Sequence, residues 1–95
     1  MSAYVIVDIE ITDPVRYEEY KRLAAPTVML YDGSYVVRGG HAENLEGELE
    51  PNRVVVLEFP TMERAREWID SDAYRPAREI RQASAKTEMI LVEGA

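Results

Sequence analysis

The sequence contains no cysteine, which excludes a disulfide framework and any thiolate metal site. A single histidine, His41, excludes paired-histidine metal motifs. Phosphate-cradling glycine loops and nucleophile elbows are absent as well. The longest apolar runs, such as Val54 to Leu57, fall far short of the roughly 20 residues that a membrane-spanning helix needs. No basic stretch followed by an apolar one opens the chain, so no signal peptide or membrane partner is expected, and the cytoplasm is the expected compartment. Positive charge is scarce: 11 basic residues stand against 18 acidic ones, for a formal net charge of −7. Phosphate contacts supply most non-specific affinity for nucleic acid, so this balance argues against DNA or RNA as a partner.

What is present is patterned. With 95 residues the chain reads as one domain, because two would each lack a usable core. Residues 3–12 alternate, with Val5, Val7, Ile9 and Ile11 on one side and Tyr4, Ile6, Asp8 and Glu10 on the other. Asp13-Pro14 starts a helix whose inward face is Tyr17, Tyr20, Leu23, Ala24, Val28 and Tyr31. Pro26 should kink or loosen it, and Gly33 should supply its left-handed stop. Residues 34–38 form a second strand, and Gly39-Gly40 suggests a bulge or a close approach. His41 to Asn52 fits a long acidic hairpin connection. Residues 53–59 form a β-branched third strand. Thr61 caps a second helix with Met62, Ala65 and Ile69 inward and Trp68 at the margin. Ser71-Asp72 should interrupt that helix, and residues 86–93 form the last strand.

The order is β-α-β-β-α-β, an α+β arrangement. Two right-handed crossovers and a hairpin fold it into a four-stranded antiparallel sheet of order 4-1-3-2 with both helices on one face. Val5, Val7, Ile9, Val55, Leu57 and Phe59 should meet those helices. The other face would carry Tyr4, Ile6, Asp8, Val36, Arg38, Val54, Val56 and Glu58, with Ile90 and Val92 if strand four is in register. So apolar a patch exceeds what a soluble monomer usually exposes, and a two-fold pairing of identical sheets covers it. Asp8, Arg38 and Glu58 then lie in or beside the space between sheets. Arg38 could hold a substrate carboxylate, and Glu58 or Asp8 could act as a base. Arg38 could equally pair with Glu58 and only satisfy buried charge.

Other candidates are weaker. His41 could be a general base near neutral pH, although a lone loop histidine is more often a surface residue. Glu43, Glu46, Glu48 and Glu50 fit no calcium-loop spacing and read as a solvated loop, so no metal is expected. Arg75, Arg78 and Arg81 form a basic stripe with Tyr74 that would either meet an anion or pair with neighbouring acids. The third strand, Arg53-Val54-Val55-Val56-Leu57-Glu58-Phe59, lacks the glycine and aromatics of an RNA-recognition strand.

Four segments carry a resemblance: Asp13-Pro14-x-x-Tyr17-x-x-Tyr20, Gly39-Gly40 with Leu45-Glu46-Gly47, Arg53-Val54-Val55-x-x-Glu58-Phe59-Pro60, and Ser71-x-x-Tyr74-x-x-Ala77-x-x-x-Arg81. In this order the set resembles a small bacterial family known only as a domain of unknown function, within the dimeric α/β-barrel superfamily, from Tyr4 to Gly94. The resemblance implies a ferredoxin-like protomer and a face-to-face homodimer. Superfamily relatives include cofactor-free monooxygenases, isomerases, dehydratases and haem-handling proteins that use the cleft between sheet and helices, so no reaction is fixed by it. Arg38, Arg53, Glu58 and Tyr74 lie in or next to the shared pattern and are the first candidates for ligand contact. The expectation is a small dimer that acts without a cofactor on an organic acid or ketone. Its catalytic candidates are Glu58, Asp8 and His41, and its ligand-binding candidates are Arg38, Arg53, Tyr74 and Tyr4. The alternative is a non-catalytic dimer, metabolite-binding or stress-associated.

Overall fold

A computed structural model describes residues 1–95. The elements run β1 (Ala3–Ile11), α1 (Pro14–Leu30), β2 (Ser34–Arg38), β3 (Arg53–Phe59), α2 (Met62–Asp70), α3 (Arg75–Ser84) and β4 (Ala85–Glu93). They form one antiparallel sheet in the order β2-β3-β1-β4, which is the expected 4-1-3-2 read from the other edge. The molecule measures 35 × 32 × 17 Å. The short dimension is one layer of helices on one layer of strands, so the second sheet face has no cover.

Local chemistry sets the element ends. The Asp13 carboxylate accepts from the Arg16 N–H at 3.2 Å, and Pro14 occupies the first turn, where its missing donor costs nothing. The helix then continues through Pro26 to Leu30. Its left-handed stop is Asp32 (φ 64°) rather than Gly33. Gly33 is required for space, since a Cβ there would run into the Phe59 ring and Val28. The interruption at Ser71 is as expected: its hydroxyl donates to the Trp68 carbonyl at 2.8 Å and accepts from the Tyr74 N–H at 3.1 Å. That turn separates α2 from α3.

The helix-facing side of the sheet carries Val5, Val7, Ile9, Val55, Leu57 and Phe59, all buried, and Tyr17, Ala24 and Val28 of α1 close over them. Trp68 is not marginal. It is 1% exposed, at 4.2 Å from the Tyr74 ring and 5.4 Å from the Phe59 ring. One turn of α2 puts Trp68 on the same side as Ala65, and its indole N–H donates to the Thr27 hydroxyl at 3.1 Å.

Candidate functional site

The register of β2 decides where the charged candidates go. Ser34 stands opposite Glu58 and Tyr35 opposite Leu57, but Val37 stands opposite Val56 and Arg38 opposite Val55. Val36 is therefore the extra residue of a β-bulge, which shifts the alternation by one. The bulge lies three residues before the glycine pair expected to mark it. Arg38 is thereby turned to the helix-facing side, not the open side, and the expected trio of Asp8, Arg38 and Glu58 does not assemble. Nor do Arg38 and Glu58 pair. Glu58 accepts from the Tyr4 hydroxyl at 3.2 Å, and its charge raises the ionisation range of that phenol. Asp8 lies four residues along β1 from Tyr4, about 13 Å away. It accepts from the Asn52 N–H at 2.8 Å and from the Asn52 side-chain amide at 3.0 Å.

The remaining candidates divide. His41 is on the surface, its side chain 84% exposed and 3.6 Å from Glu43. The loop glutamates do not gather into a group that could hold a metal ion. Tyr74 is fully buried beneath the helices, so it cannot meet an anion from solvent. Arg75 pairs with Asp72 at 2.6 Å, Arg78 donates to the Ile69 carbonyl at 3.0 Å, and Arg81 is buried, so the basic stripe is dispersed.

Arg38 and Arg53 do come together. Arg53 is the first residue of β3 and opposes Ile9, which places it on the helix-facing side near the end of the sheet where Arg38 also lies. Helical spacing brings Tyr17, Tyr20 and Lys21 of α1 over the same region. These five residues and Tyr35 surround the outer part of a cavity floored by core residues such as Val7 and Leu57. Its enclosed space is about 30 Å³, on the order of two waters. Lys21, Arg38 and Arg53 also line an open vestibule of about 550 Å³ that has only Arg22 and Glu18 besides. A narrow aromatic throat thus opens into a cationic mouth.

Four cations against one acid is a local inversion of a chain whose net charge is −7. Lys21 pairs with Glu18 at 2.9 Å, whereas Arg22, Arg38 and Arg53 have no carboxylate partner. The Arg38 guanidinium stacks 4.2 Å from the Tyr35 ring centre, and that of Arg53 stands 5.9 Å from Tyr17. The Arg53 Nε is buried with no hydrogen-bond partner. Leaving such a donor unpaired costs about 1–3 kcal/mol or more, which a bound acceptor would recover. Burial pushes the Tyr17, Tyr20 and Tyr35 phenols above their ordinary range, with Arg53 and Arg38 partly offsetting this at Tyr17 and Tyr35. All three stay protonated at neutral pH, and the site keeps its positive charge.

Gly39 makes room for this arrangement. It adopts φ +74°, and a Cβ there would overlap the Arg53 guanidinium. Gly39→Ala is expected to displace Arg53 and lower stability by about 1–2 kcal/mol through left-handed strain. A thermal melt checks this; an unchanged midpoint would show that the backbone absorbs the strain. Of the cavity residues, Arg38 and Arg53 are among the sequence candidates, Arg38 for the opposite sheet face. Lys21 is missed, although its helical spacing from Tyr17 points to it, and Tyr35 is missed because only the bulge brings it beside Arg38.

Residues 2–95 match the domain of unknown function DUF1330. The chain belongs to this family. No curated protein matches it. Among solved structures, a protein of unknown function from Rhodopseudomonas palustris superposes on this DUF1330 chain with TM-score 0.82 at 20% identity, over 99% of this chain and 82% of the other. A dimeric ferredoxin-like protein of unknown function from Jannaschia sp. CCS1 gives 0.73 at 13% identity, over 99% and 100%. SnoaB, a cofactor-independent oxygenase from Streptomyces nogalater, gives 0.67 at 13% identity, over 99% and 93%. The DUF1330 chain therefore has a ferredoxin-like fold.

Proposed function

We propose that this DUF1330 protein binds the carboxylate of a small organic acid at the cationic mouth of the cavity between α1 and the sheet, with its body in the open vestibule, one site in each protomer of a homodimer. The buried, unpartnered Arg53 donor at the cavity rim carries this reading. Arg38 and Arg53 hold the acid group, Lys21 adds charge, and Tyr17 and Tyr35 border the narrow throat behind it. The charged mouth accounts for anion choice. Turnover without a cofactor is the second reading, supported by the shared fold with SnoaB and by the protonated tyrosines in the cavity. Glu58 and Asp8 have no part in it at this site. They stand at the polar margin of the open face, where Tyr4 and Asn52 hold them.

The test is titration of the protein with benzoate, phenylacetate and hexanoate, followed by NMR chemical shifts or calorimetry. Arg53→Gln and Arg38→Gln should each raise Kd tenfold or more, since hydrogen bonds to charged groups contribute about 1.5–3 kcal/mol. Absence of binding by all three acids, or equal affinity in both variants, would refute the reading.

A further inference from the structure

The open vestibule outside the throat is bounded on two sides. One is α1, whose residues Glu18, Lys21 and Arg22 recur at helical spacing and share a side of the helix. The other is the end of the sheet, where β2 closes with Arg38 and β3 begins with Arg53. No apolar side chain lines this space, in contrast to the throat behind it. A hydrocarbon body lodged there would meet only charged groups and gain little from burial.

The charges are unevenly answered. On the helix side Lys21 pairs with Glu18 at 2.9 Å, which leaves Arg22 uncompensated. On the sheet side neither Arg38 nor Arg53 has a carboxylate partner. Other arginines of this acid-rich chain do find acids: Arg64 pairs with Asp32 and Glu67, and Arg75 with Asp72. A single carboxylate held by Arg38 and Arg53 would leave Arg22, across the same space, still unanswered.

We propose that the vestibule binds a small organic dianion, with one carboxylate on Arg38 and Arg53 and a second on Arg22 of α1. The ligand class is then a short dicarboxylate, in place of a monoacid with a hydrocarbon tail. This rests on the acid-binding reading above and adds a second contact to the same site. A guanidinium suits each end, because it can present two parallel N–H donors to one carboxylate. Lys21, held by Glu18, adds charge, and the Glu18 carboxylate opposes the ligand.

The probes are succinate and butyrate, which share a chain length and differ by one carboxylate. Titration at low ionic strength, followed by NMR chemical shifts, should give succinate a Kd about tenfold or more below that of butyrate. Arg22→Gln should raise the succinate Kd about tenfold and change that of butyrate less than about twofold. Glu18→Gln should tighten succinate about threefold, a gain that general damage to the site would not produce. Both positions are exposed on α1, so the variants keep the fold. Succinate no tighter than butyrate, or succinate binding indifferent to Arg22→Gln, would overturn the second contact. If butyrate then still loses affinity in Arg53→Gln, the acid-binding reading stands and the dianion falls. If neither compound binds, both are refuted.

Discussion

Trp68→Ala should lower the melting temperature by on the order of 15–25 °C, the largest loss expected from any single truncation in this chain. Removing a buried tryptophan side chain typically costs about 3–5 kcal/mol, against a total stability of about 5–15 kcal/mol for ordinary domains. The residue touches three parts of the molecule. Its ring lies 4.2 Å from Tyr74 in the α2–α3 turn and 5.4 Å from Phe59 on β3, and its N–H donates to Thr27 of α1. Truncation opens a void among all three and leaves the Thr27 hydroxyl without its donor. Circular dichroism melts at fixed protein concentration measure the change, with Trp68→Phe as the control that keeps most of the ring. A melting temperature within a few degrees of the parent would mean that the core closes over the gap.

Trp68 also shows where the sequence is legible and where it is not. Strand alternation fixes the faces of β1, β3 and β4, because a one-residue slip would turn the whole apolar set to water. Val5, Val7, Ile9, Val55, Leu57 and Phe59 are accordingly buried, and Ile90 and Val92 fall opposite Ile6 and Tyr4 as the expected register requires. Helix faces are less sharply read. Trp68 lies one turn from Ala65, and only the position of α2 on the sheet sends it fully inward. The short β2 strand is the least legible, since five residues with two adjacent valines do not reveal which one is the bulge. That single displaced residue moves Arg38 from the open face to the cavity. The candidates Arg38 and Arg53 thus prove neighbours, while Asp8 and Glu58 remain on the other side of the sheet.

Ile6→Asp should leave the protein monomeric at micromolar concentration. In the proposed dimer the open face is the contact, and its centre is a row across all four strands: Val37, Val56, Ile6 and Ile90 stand opposite one another in turn. Ile90 is 60% exposed and Val92 41% in the protomer, a level of exposure that costs less once a second sheet covers them. On either side of the row stand Tyr4 with Glu58 and Asp8 with Glu88, so the patch has an apolar centre and a polar margin, as interfaces do. A two-fold axis places the same residue on both partners, and one substitution therefore buries two unpaired carboxylates. The neighbouring Asp8 adds like charge on the same face. Each unpaired buried carboxylate costs several kcal/mol, so the dimer Kd should rise at least ~1,000-fold. In the isolated protomer the new side chain points to water, and β1 keeps its pairing with β3 and β4. The change should therefore act on association and spare the fold, with Ile6→Val retaining the dimer. Light scattering across a concentration series, with circular dichroism to confirm the fold, measures this. A parent that is already monomeric, or a variant with the parent's mass, would show that something other than a second copy covers the sheet.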